Sequence, residues 1–114
     1  MVTIYHNSRC RKSREGLELL NGSGKDFEVR EYLKEPVSTE ELKSLLDKLG
    51  MAPIELVRKE EKIWKKEFKG KDLSDDELIR IMVENPKLIQ RPIVVKNNDA
   101  VVGRPASRIS DLLN

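Results

Sequence analysis

The one cysteine, Cys10, sits in the run His6-Asn7-Ser8-Arg9-Cys10-Arg11-Lys12-Ser13, between a short apolar strand pattern and a helical one. A helix start offers unpaired backbone N–H groups and partial positive charge, which favour a thiolate over a thiol and make it a nucleophile near neutral pH. Arg9, Arg11 and Lys12 are expected to act in the same direction. Ser13 completes a Cys-x-x-Ser spacing in which a hydroxyl can donate toward sulfur across the first helical turn. His6, when protonated, is a further candidate partner for the thiolate. With no second cysteine in the chain, an oxidised or covalently modified Cys10 has to be restored by a thiol from outside. The residues therefore predict a monothiol site.

Such a site needs a frame. Val2 to Tyr5 reads as a strand, and Arg11 to Asn21, with Leu17 and Leu20 before Gly22-Ser23-Gly24, reads as a helix. Phe27 to Tyr32 alternates apolar and charged residues as a second strand. Ser38 with Glu41 and Ser74 with Glu77 are capping-box signatures ahead of amphipathic helices, the first ending at Gly50 and the second stopped by Asn85-Pro86. Pro53 fits the first turn of a short helix between them, and Lys59 to Lys71 is a charged stretch pinned by Ile63, Trp64 and Phe68. Arg91 to Lys96, the turn Asn97-Asn98-Asp99 and Ala100 to Gly103 form a hairpin. Pro105 then opens a terminal helix carrying Ile109, Leu112 and Leu113. This order is the outline of an α/β, thioredoxin-like fold with a mixed four-stranded sheet. Its core would be about 1–35 and 88–114, and its helical insertion about 36–87, within a single domain.

Tyr5-His6-Asn7-x-x-Cys10-x-x-Ser13-Arg14, Leu56-Val57-Arg58-Lys59, Leu88-Ile89-x-Arg91-Pro92-Ile93-Val94-Val95 and Gly103-Arg104-Pro105 together resemble the glutaredoxin-coupled arsenate reductase (ArsC) family over nearly the whole chain. The resemblance implies that Cys10 attacks arsenate or a related oxyanion while Arg58, Arg91 and Arg104 bind it. Planar guanidinium groups suit this, because they stay charged and present paired donors to adjacent oxygens. It further implies glutathione as external thiol reductant, glutaredoxin as partner, no tightly bound cofactor, and a cis bond at Arg91-Pro92. The chain departs from its relatives in the bulky cations Arg9, Arg11 and Lys12 around the cysteine, and in Gly103, where some relatives carry another cysteine.

The 114 residues carry 22 basic and 20 acidic groups, a formal net charge of +2 with both signs interleaved. There is no one-signed stripe with stacking aromatics, which argues against a nucleic-acid binder. One cysteine and one histidine give no zinc spacing and no internal disulfide, and no apolar run of membrane-spanning length is present. The expected setting is cytoplasmic, with no membrane. Two other readings compete: a glutathione-dependent thiol oxidoreductase with another substrate, and a noncatalytic Spx-like regulator that binds RNA polymerase.

Overall fold

The computed structural model describes Met1 to Asn114. In chain order the elements are β1 (Val2–Tyr5), α1 (Arg11–Asn21), β2 (Phe27–Arg30), α2 (Thr39–Leu49), α3 (Pro53–Leu56), a π-helical turn (Trp64–Phe68), α4 (Asp75–Glu84), a 3-10 turn (Pro86–Leu88), β3 (Ile93–Lys96), β4 (Asp99–Val102) and α5 (Ser107–Leu113). They fall into two compact units, Met1–Glu35 with Arg91–Asn114, and Pro36–Gln90.

The first unit is built on a four-stranded sheet of order β2-β1-β3-β4. β1 runs parallel to β2, with Val2 opposite Phe27, and antiparallel to β3, with Val2 opposite Lys96; β3 and β4 are antiparallel. Parallel neighbours need a crossover, and α1 supplies it. Val2 and Ile4 of β1 alternate inward and meet Leu20 of α1, Val94 of β3, and Ile109 and Leu113 of α5 in one core cluster. Each such aliphatic side chain contributes about 1.5–3 kcal/mol by leaving water.

Three local expectations shift. β2 stops at Arg30 instead of Tyr32, because Glu31 begins a turn whose carbonyl accepts from Lys34 and Glu35 N–H at 2.9 Å each. As an edge strand it leaves Val29 exposed, so its alternation does not mark a buried face. The hairpin turn is only Asn97-Asn98, since Asp99 pairs with Lys96; Asn97 takes φ 57°, a left-handed conformation that asparagine tolerates better than most residues. Pro105 precedes α5 without entering it, and the i→i+3 bonds Arg108 N–H to Pro105 and Ile109 N–H to Ala106 start the helix as a tight turn.

In the second unit the caps lie where the sequence puts them. Ser38 Oγ accepts from Glu41 N–H at 3.0 Å, and Gly50 closes α2 with φ 66°. Ser74 and Glu77 form a reciprocal capping box on α4. α2 and α3 pack against α4, with Leu42, Leu45, Leu46, Leu56, Leu78 and Met82 buried. Arg58 N–H donates to the Leu88 carbonyl at 2.7 Å, Gln90 N–H to the Leu56 carbonyl at 2.9 Å, and Val57 bridges Ile89. These bonds hold 88–90 in this unit, which extends it a few residues past 87.

Candidate active site

His6 prolongs the β1–β2 pairing by donating its N–H to the Arg30 carbonyl at 2.9 Å. The chain then turns sharply, and Cys10 N–H bonds the Asn7 carbonyl at 3.0 Å. Asn7 Oδ1 accepts from Arg9 N–H at 3.0 Å, and Arg14 Nη1 donates to the Ser8 carbonyl at 3.0 Å, so the loop is tied both within itself and to the first turn of α1. Cys10 is itself the N-cap of α1, with extended backbone at φ −98°, ψ 123°. Its sulfur occupies the place where a capping oxygen would accept from the third helical N–H, that of Ser13. This N–H stabilises the thiolate, through a looser contact than a full capping hydrogen bond.

The Ser13 hydroxyl does not do what the Cys-x-x-Ser spacing predicts. It is fully buried, accepts from Asn7 N–H at 2.9 Å, and lies 2.7 Å from His6 Nδ1. Ser13 therefore supports the sulfur with its backbone, while its side chain fixes the loop. Nor is His6 a cation beside the thiolate. Burial lowers its pKa and outweighs the attraction of Glu31 and its Ser13 hydrogen bond, so the ring is neutral near pH 7 and holds Ser13 in place.

The positive charge at sulfur comes from far along the chain. Arg104 Nη2 is 3.6 Å from Cys10 Sγ, and its Nε donates to the Arg91 carbonyl at 2.9 Å. Arg91 is itself buried, and its guanidinium hydrogen-bonds the thiolate. Burial pushes the Cys10 thiol up, but the Ser13 N–H and the Arg91 and Arg104 guanidinium groups together pull it from 9.0 to about 7. Arg11 and Lys12 instead reach solvent and pair with Glu15 at 3.4 and 3.8 Å. The bulky cations next to Cys10 in sequence are thus not the ones that activate it.

Two glycines set the spacing of this constellation. A Cβ on Gly16 would stand 2.9 Å from Pro92 Cγ and 3.0 Å from Ile109 Cδ1; one on Gly103 would stand 2.8 Å from Ile109 Cδ1 and 3.1 Å from Pro92 Cγ. Gly103 N–H also bonds the Pro92 carbonyl at 2.8 Å. α1, the Arg91-Pro92 loop and the start of α5 can approach only because both side chains are missing. The Arg91-Pro92 bond is cis, as the resemblance implies, and Arg104-Pro105 is cis as well. Gly16 escaped the sequence reading, though a glycine inside a helix, about 1 kcal/mol worse there than alanine, is a signal of close approach.

Arg58 lies in the Pro36–Gln90 unit, where its side chain is largely buried and its Nε stands 3.2 Å from Glu60 Oε1. No cluster of His, Cys, Asp and Glu side chains is arranged to hold a metal ion. No helix is long and apolar enough to cross a membrane.

Comparison with known proteins places this geometry. The chain is 45% identical to the uncharacterized protein YfgD of Escherichia coli (strain K12), over 98% of this chain and 96% of that one. It is 39% identical to an arsenate reductase of Neisseria meningitidis serogroup A, over 98% and 97% of the two chains. The solved structure of an arsenate reductase from Vibrio cholerae superimposes with a TM-score of 0.91 at 45% identity, covering 96% of this chain and 95% of that one. The fold is accordingly α/β and thioredoxin-like. The model of the ArsC family matches residues 5–112, and the chain belongs to that family.

Proposed function

We propose that the protein is an arsenate reductase that uses glutathione and glutaredoxin, and that it works in the reducing cytoplasm. The observation that carries this reading is the convergence of Arg91 and Arg104 on a Cys10 sulfur whose pKa is drawn down to about 7. About half the sulfur is then thiolate at neutral pH, beside donors suited to a tetrahedral oxyanion. The arsenate reductases among its relatives support the choice of substrate.

In this mechanism the Cys10 thiolate attacks arsenic, an S–As bond forms, and one arsenate oxygen leaves as water after protonation. A glutathione thiol displaces a second oxygen, again as water. A glutaredoxin thiolate then attacks the glutathione sulfur, forming a glutaredoxin–glutathione disulfide. The S–As electron pair stays on arsenic, which falls from As(V) to As(III). Hydrolysis of the remaining S–As bond releases arsenite and free Cys10. Arg91 and Arg104 hold the oxyanion and stabilise charge that shifts onto its oxygens during attack. Arg58 is the third arginine of the set.

The test is arsenite release in a coupled assay with glutathione, glutaredoxin and NADPH-driven recycling, wild type beside Cys10→Ser. Arsenate-dependent turnover in the wild type alone is expected, and turnover no greater than that of Cys10→Ser rejects the activity. Arg58→Ala should lower turnover, with Arg58→Lys intermediate. Wild-type kinetics in a folded Arg58→Ala protein remove that residue from the site.

A further inference from the structure

The chain has one thiol, so each cycle of the proposed reduction needs a second thiol delivered to the arsenic held on Cys10. A cleft of about 260 Å³ lies beside the Cys10 loop. One wall is the loop from His6 to Arg9, and the other is the turn after β2, with Glu31, Leu33 and Lys34. We propose that this cleft is the binding site for the glutathione co-substrate; the assignment rests on the arsenate reductase reading.

Charge and size agree, and the cleft adjoins the Cys10 loop. At neutral pH glutathione carries two carboxylates and one ammonium group. The cleft offers two cations, Arg9 and Lys34, and one carboxylate, Glu31, with Leu33 as an apolar surface. Leu33 is one of only three large hydrophobic side chains left exposed, so a ligand covering it removes apolar area from water. The Glu31–Lys34 pair, at 3.7 Å and open to solvent, is weak enough to be exchanged for ligand charges. The volume is near the lower end of small-molecule pockets, about 300–1,000 Å³, which fits a tripeptide lying partly in solvent.

The wall is also preformed. Asn7 Oδ1 and the Ser8 carbonyl are bonded to Arg9 N–H and Arg14, and the turn is closed by Cys10 N–H on the Asn7 carbonyl at 3.0 Å. Such a turn keeps its end residues within about 7 Å. A tripeptide spans about 10 Å at roughly 3.3 Å per residue. Glutathione seated on Asn7 to Arg9 therefore lies along a turn whose far end is Cys10. Arg9, which does not contact the sulfur, acquires a role here as the cation next to the incoming carboxylate.

The experiment pairs binding with kinetics. Titration of the wild-type protein with S-methylglutathione, which cannot react, should shift backbone amide NMR signals of His6 to Arg9 and Glu31 to Lys34. Shifts confined to other segments, or none at millimolar concentration, overturn the proposal. In the coupled assay Arg9→Glu/Lys34→Glu should raise the glutathione KM roughly tenfold or more, with the arsenate KM unchanged. An exposed cation of the other unit, in Lys71→Glu, controls for overall charge. Arsenate turnover with an unaltered glutathione KM in the double variant sinks the cleft and spares the reductase. Amide shifts at the cleft in a protein without arsenate turnover sink the reductase and leave a glutathione site.

Discussion

The depressed Cys10 pKa makes folding stability depend on pH in a calculable way. The thiol titrates near 9.0 when unperturbed and near 7 in the folded protein. Between these values the unfolded chain binds more protons than the folded one, so stability rises with pH. The contribution is fully present above about pH 9 and is lost as pH falls through about 7. A separation of about two units at about 1.36 kcal/mol each gives ~2.7 kcal/mol at most. Such a value is a large share of the total for a small domain. Other groups titrate too, so the quantity to measure is the difference between wild type and Cys10→Ser, which removes only this thiol. Urea unfolding of both proteins, reduced throughout, should show the wild type gaining about 2.5 kcal/mol over Cys10→Ser between pH 6 and pH 9.5. Iodoacetamide alkylation of the folded wild type should have its midpoint near pH 7. A flat difference curve, or one that falls with pH, refutes the claim that the fold stabilises a thiolate at Cys10.

Three further outcomes follow from the geometry of the site. Arg104→Ala should raise the alkylation midpoint and lower arsenate turnover by about 10²–10³, because one side chain both contacts Sγ and pins the Arg91 carbonyl; Arg104→Lys should recover only part, and an unchanged midpoint would discount the contact. Ser13→Ala should cost about 1–3 kcal/mol in urea unfolding by leaving the Asn7 N–H and the His6 ring without their partner, yet barely move the alkylation midpoint, since the N–H at sulfur remains; a large midpoint shift would return the hydroxyl to the sulfur. Gly16→Ala should destabilise by about 1–3 kcal/mol although alanine favours helices, and should also raise the alkylation midpoint as α1 is pushed off Pro92; a stabilised variant with an unshifted midpoint would mean that the close approach does not hold Cys10 against its arginines.

What the sequence made legible, and what it hid, divides along the range of the interactions. Ser38, Gly50, Ser74 and Glu77 act on backbone groups within four residues, so their local pattern was enough to locate the helix ends. Alternation over Phe27 to Tyr32 carries no mark of where pairing ends; the Glu31 carbonyl, bonded to Lys34 and Glu35 N–H, starts the turn that stops β2 at Arg30. The cysteine loop shows the same limit in its electrostatics. Arg11 and Lys12 are adjacent to Cys10 in the chain, but successive helical residues turn by about 100°, which carries them to Glu15 and solvent. Arg104 is ninety-four positions away and in contact. Chain proximity therefore overstates the neighbouring cations and misses the effective ones, and only motifs shared with a family brought Arg91 and Arg104 into view. The glycines that let those arginines close on the sulfur act through atoms they lack. No rule about charge or periodicity detects them, but Gly16 leaves a signal as a helix-interior glycine with no local purpose, because it costs stability that close packing elsewhere has to offset.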